Sequence, residues 1–369
     1  MQFIITAIVA VILLVGVTSS CPSVCRCSNH SAGVYVGCSN IGLDSIPPDL
    51  PYNTYKLTLD FNDISVIEDN AFNNLPRLNR LYLHTNKITS IKSGTFTNLP
   101  NLYFLQLANN KISVIEDNAF SNLPSLHYLY LDSNKIASIQ SVTFNGFPDL
   151  HVLGLWDNEI SVIEDIAFNN VPSLHDIYLS SNKITSIQSG IFNDLPNLYY
   201  LRLYENDISV IEDNAFNNLP SLYSLQLNEN DISVIKDNAF NNLPSLHELR
   251  LEKNNISVIE DNAFNNLLSL TYLWLDHNNI IVIEDSTFNN LINLKYVYLN
   301  NNQITAIQSG IFNGLTSLYI LHLQNNDISV IEENAFNNLT NLRYLYFDSN
   351  QITSIQSGTF NDLPGLYSL

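Results

Sequence analysis

Hydrophobic positions along most of the chain obey one rule, LxxLxLxxNxIxxIxxxxFxxLxx, which returns every 24 residues. An asparagine follows Leu-x-Leu at Asn62, at Asn86 and on the same beat to Asn350. Phenylalanine keeps step from Phe72 to Phe360, and isoleucine from Ile64 to Ile352 and from Ile67 to Ile355. Thirteen units of one period predict a solenoid in which no unit buries its faces alone. The Leu-x-Leu alternation predicts a short strand with its leucines on one face. Successive strands then pair in parallel, about 4.8 Å apart. The asparagine carries a donor and an acceptor, so at the turn after each strand it can satisfy buried backbone groups. A phenylalanine in every unit predicts a stacked aromatic spine on the opposite side of the core.

These units, from Thr54 to Leu369, resemble the leucine-rich repeat in the 24-residue form found outside cells. The resemblance implies an α/β-type repeat solenoid. It is a horseshoe with short parallel strands on its concave face and loops or short 3₁₀ turns outside.

Residues 21–53 break the period and hold all four cysteines, Cys21, Cys25, Cys27 and Cys38. An even, clustered set predicts two disulfides in an oxidising compartment. Three pairings exist, and the one containing Cys25–Cys27 is sterically awkward. The spacing C-x3-C-x-C-x10-C resembles the cysteine-rich N-terminal cap of extracellular leucine-rich repeat proteins. That likeness implies the pairs Cys21–Cys27 and Cys25–Cys38. At the other end the chain stops in LPGLYSL, with no cysteines of a C-terminal cap. The expectation is a truncated or uncapped solenoid, with oligomers forming through that end.

Residues 1–20, MQFIITAIVAVILLVGVTSS, read as a secretory signal peptide. Nothing after them is long and apolar enough to span a membrane. The expected location is therefore secreted or extracellular, or the cell surface if an anchor follows. Sequons at Asn29, Asn255 and Asn338 predict a glycoprotein. The net charge of −20 repels phosphate backbones, which argues against nucleic acid as a partner. No nucleophile elbow, HExxH, phosphate loop or Cys–His pair is present, so no enzyme, cofactor or metal is expected. His127, His151 and His175 share one position in three successive units. They are expected as a row about 5 Å apart.

Candidate chemistry lies on the strands. The ISVIEDNAF half of the unit is copied almost unchanged, whereas the strand half differs from unit to unit. The polar letters of the copied half are not core residues, and recent duplication of the units accounts for them. Its Glu-Asp pairs, such as Glu116–Asp117 and Glu212–Asp213, predict a solvated acidic back. The variable positions predict a ligand-binding concave face made of Tyr82, Tyr130, Gly154, Trp156, Tyr178, Arg202, Tyr204, Arg250, Trp274, Tyr298, His322 and Tyr346. Tyrosine, tryptophan and arginine are the residues of protein-binding surfaces. Gly154, between Tyr130 and Tyr178, predicts a small dip walled by two rings with Trp156 beside it. Arg202 is expected near Glu205, and Arg250 near Glu248 and Glu252.

As a whole the chain resembles the ectodomains of Toll-like receptors, Slit-type secreted proteins and variable lymphocyte receptors. The likeness implies recognition of an extracellular protein or glycan by the concave face, as a receptor ectodomain or soluble binder, with innate immunity as one setting. The alternative is a matrix-organising protein, for which Ser-Gly dipeptides such as Ser93–Gly94 would be attachment points.

Overall fold

The computed structural model describes residues 20–360 and 363–369. All of the expected leader except Ser20 therefore lies outside the described residues. One sheet of fifteen strands runs the length of the molecule. It opens with an antiparallel pair, Arg26–His30 and Gly33–Gly37. Thr54–Thr58 and one strand per unit follow in parallel, as far as Tyr344–Tyr346. The cap thus extends the sheet by two strands, with the exposed Arg26–His30 as its first edge. The disulfides are Cys21–Cys27 and Cys25–Cys38, as the resemblance implied.

Register is exact from unit to unit: Leu153 faces Leu129 and Ile177, and Gly154 faces Tyr130 and Tyr178. A period of 24 returns each residue to the same column, so the leucines all point inward. Leu81, Leu105, Leu129, Leu153 and Leu201 are fully buried. The phenylalanines stack behind them: Phe168, Phe192, Phe216, Phe240 and Phe264 lie 5.7 to 6.2 Å apart with rings within 17° of parallel. Between Phe120 and Phe144 the column is interrupted. There Phe147 takes a leucine position and packs 6.1 Å from Phe120.

Each ladder asparagine joins two units. Asn206 Nδ2 donates to the carbonyls of Leu203 in its own unit and Leu179 in the unit before. Its Oδ1 accepts from the backbone N–H of Ile184 in that same earlier unit. The pattern repeats from Asn62 to Asn350.

The outer side is made of loops and turns, one of the two forms expected there. No helix or 3₁₀ turn occurs among the described residues. The return path is built of turns and of five two-stranded parallel sheets, such as Ser186–Ile187 with Val210–Ile211. The reason is conformational. Positive φ recurs in this stretch, at Asn214 (60°) and Asn218 (60°) in one unit and at Gly190 (84°) and Asp194 (63°) in another. A left-handed residue ends a helix rather than continuing it.

This corrects the reading of the constant letters EDN and NN. The asparagine of EDN and the second asparagine of NN sit where φ is positive, as at Asn214 and Asn218, and the QSG units put glycine at the first of these places. The glutamates also have a task. Glu116, Glu164, Glu212 and Glu332 accept the backbone N–H of Ser93, Ser141, Ser189 and Ser309 in the preceding unit, at 2.9 to 3.1 Å. The acidic back is therefore hydrogen-bonded scaffold as well as solvated surface.

Candidate recognition face

Because side chains alternate across a strand, the residues flanking each buried leucine all face the inner curve. Eleven of the twelve expected site residues are half-buried there; Gly154 alone is fully buried. Eight of them, with rings from neighbouring positions, form two aromatic groups. The first runs through Tyr82, Phe104, Tyr128, Tyr130, Trp156 and Tyr178, with neighbouring centroids 5.1 to 6.1 Å apart. The second joins Tyr272, Trp274, Tyr296, Tyr298, His322 and Tyr346 at 4.5 to 5.4 Å. Phe104, Tyr128, Tyr272 and Tyr296 belong to this face but were not anticipated. They sit two residues before the central column, where the same alternation would have placed them.

Between the groups lies a polar saddle with Arg202, Gln226, Asn228, Arg250 and Glu252. Its two arginines differ. Arg250 lies 5.2 Å from the Trp274 ring centroid, and its Nε and Nη2 both donate to Glu252 Oε1. It does not pair with Glu248. Arg202 lies over Tyr178 at 4.7 Å and makes no ion pair among the described residues. The expected partner, Glu205, instead accepts Ser181 Oγ at 2.6 Å. Arg202 is therefore a cation that the saddle holds without an acidic partner.

The dip expected at Gly154 is filled. A Cβ placed there would meet Trp156 Cζ3 at 2.6 Å and Tyr130 Cδ1 at 2.7 Å. The glycine is where the indole rests, so it supports Trp156 rather than contacting a ligand. Trp156 in turn meets Tyr130 and Tyr178 edge to face, at 77° and 67°. The histidine row is also reshaped. His127 and His151 stack 4.8 Å apart and turn Nδ1 toward the backbone carbonyls of Ser125 and Asp149, whereas His175 turns to Asp176. All three precede their strands, but His175 stacks on Tyr199 at 5.0 Å rather than on His151.

Burial shapes the electrostatics. Tyr178 is pushed up to about 12, by desolvation first and then by the nearby charge of Asp176, whose Oδ2 accepts its hydroxyl. His322 is held below the usual imidazole value by burial. Glu252 is raised by burial even though Arg250 opposes it. Asp132 is 5% exposed, its Oδ1 has no hydrogen-bond partner, and desolvation raises it to about 6.

The sign follows from linkage. The ordinary Asp value is 3.8, so ionisation of Asp132 is harder in the fold than in the unfolded chain. Its favourable contribution is complete below about pH 4 and is lost as pH rises through about 6. Asp132→Asn is expected to stabilise the protein at pH 7.5 by about 1–2 kcal/mol, the order of an uncompensated buried acceptor. The gain should vanish toward pH 4. Denaturant titrations across that range check this, and a pH-independent difference would rule it out.

Comparison with known proteins gives the same architecture. The leucine rich repeat family model matches residues 53–112, 76–136 and 100–154. The model of the BspA type leucine rich repeat region matches 139–271 and 257–369. Human leucine-rich repeat-containing protein 3 is 47% identical over 81 residues, which is 22% of this chain and 32% of that protein. The leucine-rich repeat-containing G-protein coupled receptor 5A of Xenopus laevis is 38% identical over 90 residues, 24% of this chain and 10% of the receptor. The chain thus spans a third or less of these relatives. A chain of the Drosophila Toll–Spatzle complex superposes with a TM-score of 0.76 at 24% identity, covering 86% of this chain and 44% of that one. A chain of the octameric complex of Latrophilin 3, Unc5D and FLRT2 gives 0.66 at 26% identity, covering 93% of this chain and all of that one.

Proposed function

The chain belongs to the leucine-rich repeat family, and from that premise we propose that it is an extracellular recognition module. Its concave face binds a protein or glycan partner, as a receptor ectodomain or a soluble binder. One observation carries the reading: two aromatic groups flank a polar saddle on an open inner curve, with Arg202 unpaired between them. Aromatic anchors and an available arginine are what interface hot spots are made of. An open curve without a closed, water-excluding cleft suits binding rather than catalysis. The two disulfides support an oxidising, extracellular setting. The three sequon asparagines, Asn29, Asn255 and Asn338, are all exposed. On this reading they carry glycans outside the inner face. The Ser-Gly dipeptides of the matrix alternative sit in scaffold turns, with Gly94 and Gly190 at positive φ and Ser93 and Ser189 bonded to the next unit.

The test is a multimerised chain screened against arrayed extracellular domains and glycans. A genuine partner should lose about thirty-fold or more in affinity with Arg202→Ala or Tyr130→Ala, the scale of a hot-spot truncation of about 2 kcal/mol. Asp117→Asn on the outer side should leave binding unchanged. Loss through the outer substitution alone would move the site off the concave face.

A further inference from the structure

The two tryptophans of the inner face hold different columns, Trp274 the central one and Trp156 the next, but Trp156 lays its indole over the central Gly154, and the residues around each can be compared. At Trp274 the set is complete: an indole, a cation over it, and a buried carboxylate holding that cation. Arg250 supplies the cation and Glu252, 6% exposed, supplies the carboxylate from the preceding unit. At Trp156 the preceding unit again supplies a buried carboxylate, Asp132. The central position of that unit, filled by arginine beside Trp274, is Tyr130. No lysine or arginine pairs with Asp132 or lies over Trp156 among the described residues. Asp132 Oδ1 and Glu252 Oε2 both lack a donor, but Glu252 has Arg250 on its other oxygen, and Asp132 has no cation at all among the described residues.

Resting on the recognition role above, we propose that the cluster of Asp132, Tyr130, Trp156 and Tyr178 seats a basic side chain, lysine or arginine, of a protein partner. That side chain supplies the cation which Arg250 provides internally at the second tryptophan.

Three further observations point the same way. The surroundings are acidic: Asp157 adjoins Trp156 and Asp176 is bonded to the Tyr178 hydroxyl. Rings meeting at steep angles, backed by carboxylates, form the environment in which organic cations are held by the negative faces of aromatic systems. The cluster is also kept at a cost to stability, since the ionised Asp132 is disfavoured by its burial. Residues that weaken the fold without compensation within it are those expected to serve binding. Finally, Gly154 is what lets the indole lie between the two tyrosines, because any Cβ there would collide with it. Arg202, on Tyr178, bounds the cluster on one side and would direct a carboxylate of the same partner one strand further along.

The test uses the native chain labelled with ¹⁵N at its two tryptophans, whose indole N–H signals are assigned by Trp274→Phe. It is titrated with N-acetyl-lysine amide and N-acetyl-arginine amide, and in parallel with the neutral N-acetyl-norleucine amide and with maltotriose. The expected result is a saturable shift of the Trp156 signal with the two cations alone. Trp274, whose cation is already in place, should stay still. Asp132→Asn should weaken the effect three-fold or more while leaving the strand signature in circular dichroism intact. Equal response to norleucine amide or to maltotriose would overturn the cation assignment and leave concave-face recognition standing. Silence of Trp156 toward every probe would overturn it too, since the recognition reading has its own readout in partner capture.

Discussion

Asn206→Ala is expected to cost about 3–5 kcal/mol, more than the loss of any surface contact on the molecule. The asparagine amide donates to Leu179 and Leu203 and accepts from Ile184, and all of these groups are buried. Truncation therefore leaves the Ile184 N–H without a partner and takes one of two amide donors from each carbonyl, since Asn182 still donates to Leu179 and Asn230 to Leu203. The orphaned N–H costs about 1–3 kcal/mol and each hydrogen bond lost at a carbonyl about 1 kcal/mol, less where the gap admits water. The damage should be local. Contacts in a solenoid reach only nearest neighbours, so the array should split where the link fails. Amide exchange should show lost protection on both sides of residue 206, with the units near Asn86 and Asn302 unaffected. Asn350, which is less buried at the last complete unit, should cost only about 1–2 kcal/mol when truncated. Equal losses at the two positions would show that the ladder does not work by burying backbone partners.

Phe216→Ala comes next, at about 3–5 kcal/mol. Phe216 is 1% exposed and stacks with Phe192 at 6.2 Å and Phe240 at 6.1 Å. Its removal opens a cavity in a column that cannot collapse, because the asparagine ladder fixes the spacing of the units. Phe216→Leu should cost about half as much, since it restores most of the volume. The exposed Val210→Ser, two turns of the outer path away, should change stability by less than 0.5 kcal/mol. Denaturant midpoints for the three variants check the order. A Phe216→Ala cost no greater than that of Val210→Ser would mean the aromatic column is not part of the stability of the stack.

The fold was legible because each element is written thirteen times. One Leu-x-Leu is weak evidence for a strand; thirteen apolar-x-apolar triplets in register, ten of them Leu-x-Leu, fix the sheet, its parallel sense and the inward face. The same holds for the asparagines, whose donor and acceptor can be satisfied together only at a turn between stacked units. The strand period also places Phe104, Tyr128, Tyr272 and Tyr296 on the inner face, since they sit two residues before the central column and alternation points them the same way. The letters EDN and NN were misread as leftovers of duplication. Asparagine alternating with glycine at one position is itself a signal of positive φ, and it was present in the sequence.

Other features had no signal in the chain. The residue before each ladder asparagine also has positive φ, and although it is Asn109, Asp157, Asn301 or Asn325 in some units, in others it is Phe61, Thr85, Glu205 or Lys253, types without preference for that conformation. The closed turn and the bonds on either side of it impose the conformation, so it exists only once the units are stacked.

The sequence by itself determined the repeat, the sheet, the core and the face that looks inward, because periodic burial of apolar side chains admits one arrangement. Tertiary structure alone decided which rings meet and which charges pair. Arg250 chose Glu252 over Glu248, Arg202 chose none, and Trp156 filled the space above Gly154. Side-chain partners on an open curve are set by rotamers and by neighbours 24 residues away, and no spacing rule encodes them.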